Sequence, residues 1–321
     1  MNLYPSSPEP LEARIAPATL VNPTTVTYQD LDGDDVTLKF SKPIFASLAT
    51  ANAVLDFGTG DVVASNGNAA GQQLLQIDLT SLPAADIAGL GITLTAKRHV
   101  TRGGNGFADV GYINATGRDL GVVSLAGDLG AIDAGNPNAA GNALKSLTVQ
   151  SLGELGLTTG ATDLVSNIDG RINTLTVKGH VREARVVVTD SIITNVVAGT
   201  DGEASIGTLT IGGSLLGGAG VRSGTISVDD RITTVKVGGD VRGGGGDDSG
   251  EIFAIRSIGS LTVKGSLIGG GGARSGQLST SFDEIRSVFI GGDVRGGAGQ
   301  ASGRVSSDGG VSPMRSFALG G

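Results

Sequence analysis

The apolar positions of this chain follow a strand period rather than a helical one. In the segment IGTLTIGGSLLGGAGVRSG from Ile206, Leu209 and Ile211 stand two apart with Thr210 between them, the spacing of a strand that buries one face. Gly212-Gly213 interrupt the run, Leu215 follows, a Gly-rich stretch opens at Gly217, and Ile226 and Val228 restore the two-residue period. A helix of useful length would not survive that density of glycine. The unit therefore predicts strand, tight bend, short strand, Gly-rich loop, strand.

The pattern returns along the chain. Ungapped copies begin at Ile232 (ITTVKVGGDVRGGGGDDSG), Ile258 (IGSLTVKGSLIGGGGARSG) and Ile285 (IRSVFIGGDVRGGAGQASG), at offsets of 26, 26 and 27 residues. Weaker copies start at Ile172 (INTLTVKGHV), Leu144 (LKSLTV) and Leu120 (LGVVSLAGDL), and MRSFALGG opens another at Met314. One unit cannot bury its apolar face alone, so neighbours must stack. The expected fold is all-β: residues 118–321 form a parallel β-solenoid of about 26-residue coils, with equivalent residues roughly 4.8 Å apart. Eight coils from Leu120 would make a rod of roughly 35–40 Å. An antiparallel sandwich also gives short strands and turns, but it does not demand a constant spacing.

Aligned copies also alternate. Ser214, Asp240, Ser266 and Asp293 share one column, and Leu216, Arg242, Ile268 and Arg295 another. Like charges then lie two coils apart, roughly 10 Å, while a third column (Arg222, Asp248, Arg274, Ala301) sets opposite charges in adjacent coils. Duplication of a two-coil unit would produce the same alternation.

Upstream the pattern loses its regularity. Residues 1–20 are Pro-rich and expected to form a flexible tail or targeting segment. Residues 21–117 read as a β-rich domain or cap: VTYQDL and VTLKF flank a DGDD hairpin turn, and LLQIDL (74–79), GITLTA (91–96) and VGYINA (110–115) are further strands. Leu82 to Leu90 holds the one expected short helix, ended by Gly89.

Composition narrows the function classes. The 55 Gly and 39% hydrophobic residues suit short strands joined by Gly turns rather than disorder. There is no Cys, which excludes disulfides and thiolate chemistry. No apolar run approaches the roughly 20 residues of a membrane-spanning helix, and no apolar signal core stands at the N-terminus. The formal charge of −8 falls on residues 1–200, with 12 Lys+Arg against 19 Asp+Glu, while residues 201–321 hold 11 against 12. A nearly neutral repeat with no basic stripe makes nucleic acid an unexpected partner.

Candidate chemistry is sparse. Asp30, Asp32 and Asp34 place three carboxylates at i, i+2 and i+4, hard oxygen donors whose spacing suits Ca²⁺, as at the opening of thrombospondin-type calcium loops. Leu38 stands where that loop wants a further carboxylate, and Asp35 where an EF-hand wants glycine, so a solvated hairpin turn is the competing reading. Gly243 to Asp248 fits the start of a Gly/Asp calcium nonapeptide, but Gly250 occupies its apolar position and the equivalents of Asp248 are Arg222, Arg274 and Ala301. His180 falls in the Ser/Asp column and His99 in a basic turn, KRHVTRGG. Asn114-Ala115-Thr116 fits a glycosylation acceptor and equally a strand or turn. No nucleophile constellation is recognisable, so no catalytic residue is assigned. A β-helix polysaccharide lyase or hydrolase is the enzymatic alternative; clustered carboxylates or basic residues in a pocket on one solenoid face would favour it.

The segment PEPLEARIAPA (8–18), with Ala13 where proline is typical, resembles the LEPR-type motif of exported proteins in the planctomycete–verrucomicrobia group, and coils such as IGSLTVKGSLIGG resemble their β-strand repeats. The resemblance implies a secreted or surface-attached protein and supplies no catalytic residue. The combined expectation is a non-catalytic extracellular or cell-surface structural or adhesive protein, or a calcium-stabilised adhesin. Its expected partners are surface polysaccharide or protein, or a second copy docking end-to-end through the coil that opens at Met314.

Overall fold

The computed structural model describes residues 18–58, 71–137, 141–191, 204–307 and 316–320. Nearly all of the 1–20 tail, with its motif, and Met314 lie outside them. The fold is a parallel β-solenoid, a 13-strand path wound around an axis beside a 12-strand sheet.

Each coil supplies three strands. In the coil from Ile206 these are Ile206–Ile211, the two-residue Leu215–Leu216, and Thr225–Val228. The first strands stack as a ladder through Arg231–Val237, Ser257–Val263 and Ile285–Ile290. Upstream the ladder continues to Leu120–Leu125, Asn142–Val149 and Arg171–Val177, and at the far end to Ser316–Leu319. From Leu120 onward it has eight strands, one for each of the about eight coils expected. Val123, Leu147, Leu175, Leu209, Val235, Leu261 and Val288 occupy one in-register line, and all are buried. At roughly 1.5–3 kcal/mol per buried aliphatic side chain, such lines are what hold the rod together.

Two local devices repeat. At the first corner, each polar side chain accepts a backbone N–H from the next coil: Ser214 N donates to His180 Nδ1 (3.0 Å), Asp240 N to Ser214 Oγ (3.0 Å), Ser266 N to Asp240 Oδ1 (2.8 Å) and Asp293 N to Ser266 Oγ (3.1 Å). In the Gly-rich loop, Ser223, Ser249, Ser275 and Ser302 each accept the N–H of the glycine five residues earlier, at 2.8–2.9 Å. The loop closes through a left-handed pair of positions. Arg222, Asp248, Arg274 and Ala301 have φ of 52–58°, and Gly224, Gly250, Gly276 and Gly303 of 63–64°. A Cβ on Gly250 would come within 2.1 Å of the Arg242 carbonyl oxygen, so this glycine is required by both conformation and space.

The N-terminal region is built differently. Thr19–Asn22, Thr25–Gln29 and Asp35–Phe40 form an antiparallel meander whose last strand pairs antiparallel with Leu90–Lys97. Leu90–Lys97 then pairs in parallel with Leu120–Leu125, and Val110–Thr116 with Asp128–Gly135, so both sheets run unbroken across residues 117 and 118. Tyr28, Phe40 and Phe45, the buried aromatic residues, all lie here. The expected helix is a single turn, Ala84–Ile87. A second helix, Leu48–Val54, was not anticipated; Ser47 caps it by accepting the Thr50 N–H at 3.3 Å.

Candidate functional site

The DGDD turn is not a solvated hairpin tip. Asp34 is fully buried and Asp30 nearly so. Asp30 Oδ1 accepts the N–H groups of Gly33 (3.0 Å) and Asp34 (2.7 Å), which folds the three carboxylates inward. One oxygen from each of Asp30, Asp32 and Asp34 lies within 4.8 Å of the others. A distant segment seals the turn. Asn105 and Gly106 donate their N–H groups to Asp34 Oδ2 at 3.1 and 2.6 Å, and Arg102 reaches Asp35 at 2.6 Å. Arg102 belongs to the basic turn, where His99 Nδ1 accepts the Thr101 and Arg102 N–H groups; this histidine shapes a loop. Burial first, and the adjoining Asp32 carboxyl second, push Asp30 up to about 8. Burial likewise raises Asp34, and Asp109 to about 6.

The other sequence candidates are structural. His180 sits in the corner ladder. Asp248 places both oxygens on Arg274 of the next coil (2.6 and 2.9 Å), and Asp247 accepts the Ala273 N–H at 2.7 Å. The Gly/Asp run thus holds coil to coil, as the alternation of charge anticipated for Asp248 and Arg274. Asn114 Oδ1 accepts from Thr116 within the strand Val110–Thr116.

A feature absent from the sequence reading lies on the third ladder. The first residues of its strands form an in-register row: Arg185, Thr225, Glu251, Gln277, Arg304. With Arg222, Asp248 and Arg274 of the Gly-rich loops they line a groove of about 470 Å³, within the usual size of ligand sites. Nε of Arg185, Nε of Arg304 and Oε1 of Gln277 are buried there without a hydrogen-bond partner. Burial, and then the neighbouring Arg222, lower Arg185. Glu251 accepts from Ser279 Oγ at 2.7 Å, yet burial and Asp248 push it up to about 7 against the pull of Arg274 and Arg222. The signal was at hand for four of the five: Thr225, Glu251, Gln277 and Arg304 directly follow the Ser-Gly pair of each aligned copy, one position beyond the nineteen, whereas Arg185 follows Glu183-Ala184.

Comparison with known proteins finds no match among family models, curated proteins or solved structures.

Proposed function

We propose that this chain is a non-catalytic extracellular or cell-surface adhesive rod whose third-ladder groove holds a stretch of acidic polysaccharide. One observation carries the reading: the row begins and ends on Arg185 and Arg304, and Arg222 and Arg274 line the same groove between them. Guanidinium groups match carboxylates bidentately. The row spans four coil steps, about 19 Å, the reach of a short oligosaccharide. Thr225, Gln277 and Ser279 line it between the arginines, their polar groups tied to Asp248, Ser306 and Glu251. The surface address rests on the resemblance of residues 8–18 to exported proteins, and the absence, among the described residues, of a helix able to cross a membrane is compatible with it.

A second reading, a polysaccharide-active enzyme, is favoured by the clustered carboxylates and arginines of the groove, the arrangement that reading expects, and by Glu251, whose raised proton affinity suits acid–base chemistry near neutral pH. Against a hydrolase, both oxygens of the nearby Asp248 are engaged by Arg274.

Calorimetry with oligogalacturonate and with a neutral glucan of similar length separates these readings. Adhesion expects binding of the acidic chain alone, weakened by salt, and at least about tenfold weaker (~1.4 kcal/mol) when Arg185 and Arg304 are both alanine. Equal binding of both glycans, or none, overturns the proposal. Accumulation of reducing ends or unsaturated products would replace it with the enzyme.

A further inference from the structure

The acidic turn carries an inference that goes beyond adhesion and does not depend on it. Two oxygens coordinating one Ca²⁺ at about 2.3–2.6 Å stand at most about 5 Å apart, and the three carboxylates meet within 4.8 Å. Clustered acids alone would not make a site, but Asp34 adds an independent feature. It is fully buried, its Oδ2 is held by two backbone N–H groups, and its Oδ1 has no partner. Leaving a buried carboxylate oxygen unsatisfied is expensive. Gly104 lies against that oxygen with φ of 107°, and a Cβ there would come within 1.9 Å, so the close approach of this segment requires glycine.

We infer that Asp30, Asp32 and Asp34 bind one calcium ion, which fixes the acidic turn against which residues 102–106 are held. The donor set is all hard oxygen, the preference of Ca²⁺ and Mg²⁺ alike. Calcium is the better occupant because Mg²⁺ keeps several waters in a strict octahedron, whereas the segment through Asn105 and Gly106 closes over the turn. The ion would bind within the turn, whose Asp34 and Asp35 already hold a segment some 70 residues away.

The test uses the full chain, stripped with chelator and titrated with CaCl₂. One site is expected, with Kd at or below about 1 mM, the range of extracellular calcium modules, together with a rise in melting temperature. Asp32→Asn should weaken binding at least tenfold while leaving circular dichroism unchanged and abolishing the calcium-dependent rise in melting temperature. Terbium bound in the turn should be excited through Tyr28, which the Asp30 charge already influences. Tyr28→Phe should remove that luminescence and keep the calcium heat. No heat and no thermal shift at about 10 mM Ca²⁺, or unaltered affinity in Asp32→Asn, overturns the inference; equal affinity for Mg²⁺ overturns the choice of metal. Glycan binding measured on the same samples reports separately on the groove.

Discussion

Residues 18–97 and residues 206–307 draw on the same strand chemistry and organise it in opposite ways. In the coils the framework contacts are copies. One aliphatic line, one corner acceptor and one Ser-Gly loop recur, and the core lacks any buried aromatic side chain. The N-terminal region has no such repeated framework among its described residues. Strands run antiparallel, Phe40 and Phe45 meet edge-to-face with centroids 5.1 Å apart, a capped helix covers the meander, and an acidic turn is closed by a segment far along the chain. The difference teaches where specificity comes from. A repeat tolerates simple residues because its neighbour completes it. An end has no neighbour on one side and must bury its edge with unlike parts.

Four substitutions and one control probe that contrast, from the largest effect to the smallest. Leu261→Asp puts a charge into the shared line and should destabilise by more than about 4 kcal/mol, whereas Thr262→Asp, on the outer face, should change little; equal losses in denaturant melts would contradict the assigned faces. Phe45→Ala should cost about 3–4 kcal/mol and loosen the N-terminal region alone. Hydrogen exchange that also quickened across 206–307 would show one cooperative unit instead of two kinds of structure. Gly250→Ala should cost roughly 1–3 kcal/mol, since its φ is 64° and the Arg242 carbonyl blocks a Cβ; a neutral result would mean the loop is not rigid. The smallest effect is a slope. Glu251 holds its proton up to about 7 in the folded chain, against 4.5 as its ordinary value. The folded state therefore binds the extra proton, and stability falls as pH rises between about 4.5 and 7. Glu251→Gln, which still accepts from Ser279, should make the melting-temperature profile less steep in that window, the remaining slope coming from Asp30 and Asp109. Asp248, Arg274 and Arg222 are the charged groups acting on Glu251 and stay in place.

Much of the coil was legible because its evidence is local and repeated. Leu209, Val235, Leu261 and Val288 fell into one column by spacing alone. The Ser/Asp column was correctly placed but read through charge, when its chemistry is acceptance of a neighbouring N–H, which also explains why His180 serves there. The groove went unread because its row begins one position past the aligned stretch, where Thr225, Glu251, Gln277 and Arg304 share no residue type. In the N-terminal region, Asp30, Asp32 and Asp34 were visible as a motif, but their burial was not. It depends on Gly104, Asn105 and Gly106, some 70 residues away, and no periodicity in the chain connects the two.

The alternation of the coils sets a step size for growth. Excising only the coil that starts at Ile232 would bring Arg222 against Arg274, two like charges one strand spacing apart, about 4.8 Å. Removing the coils at Ile232 and Ile258 together would instead set Arg222 beside Ala301, and Ser214 beneath Asp293 as Ser266 now lies. The rod can therefore lengthen or shorten by duplication or loss of coil pairs, in increments of about 10 Å, without inventing a new interface.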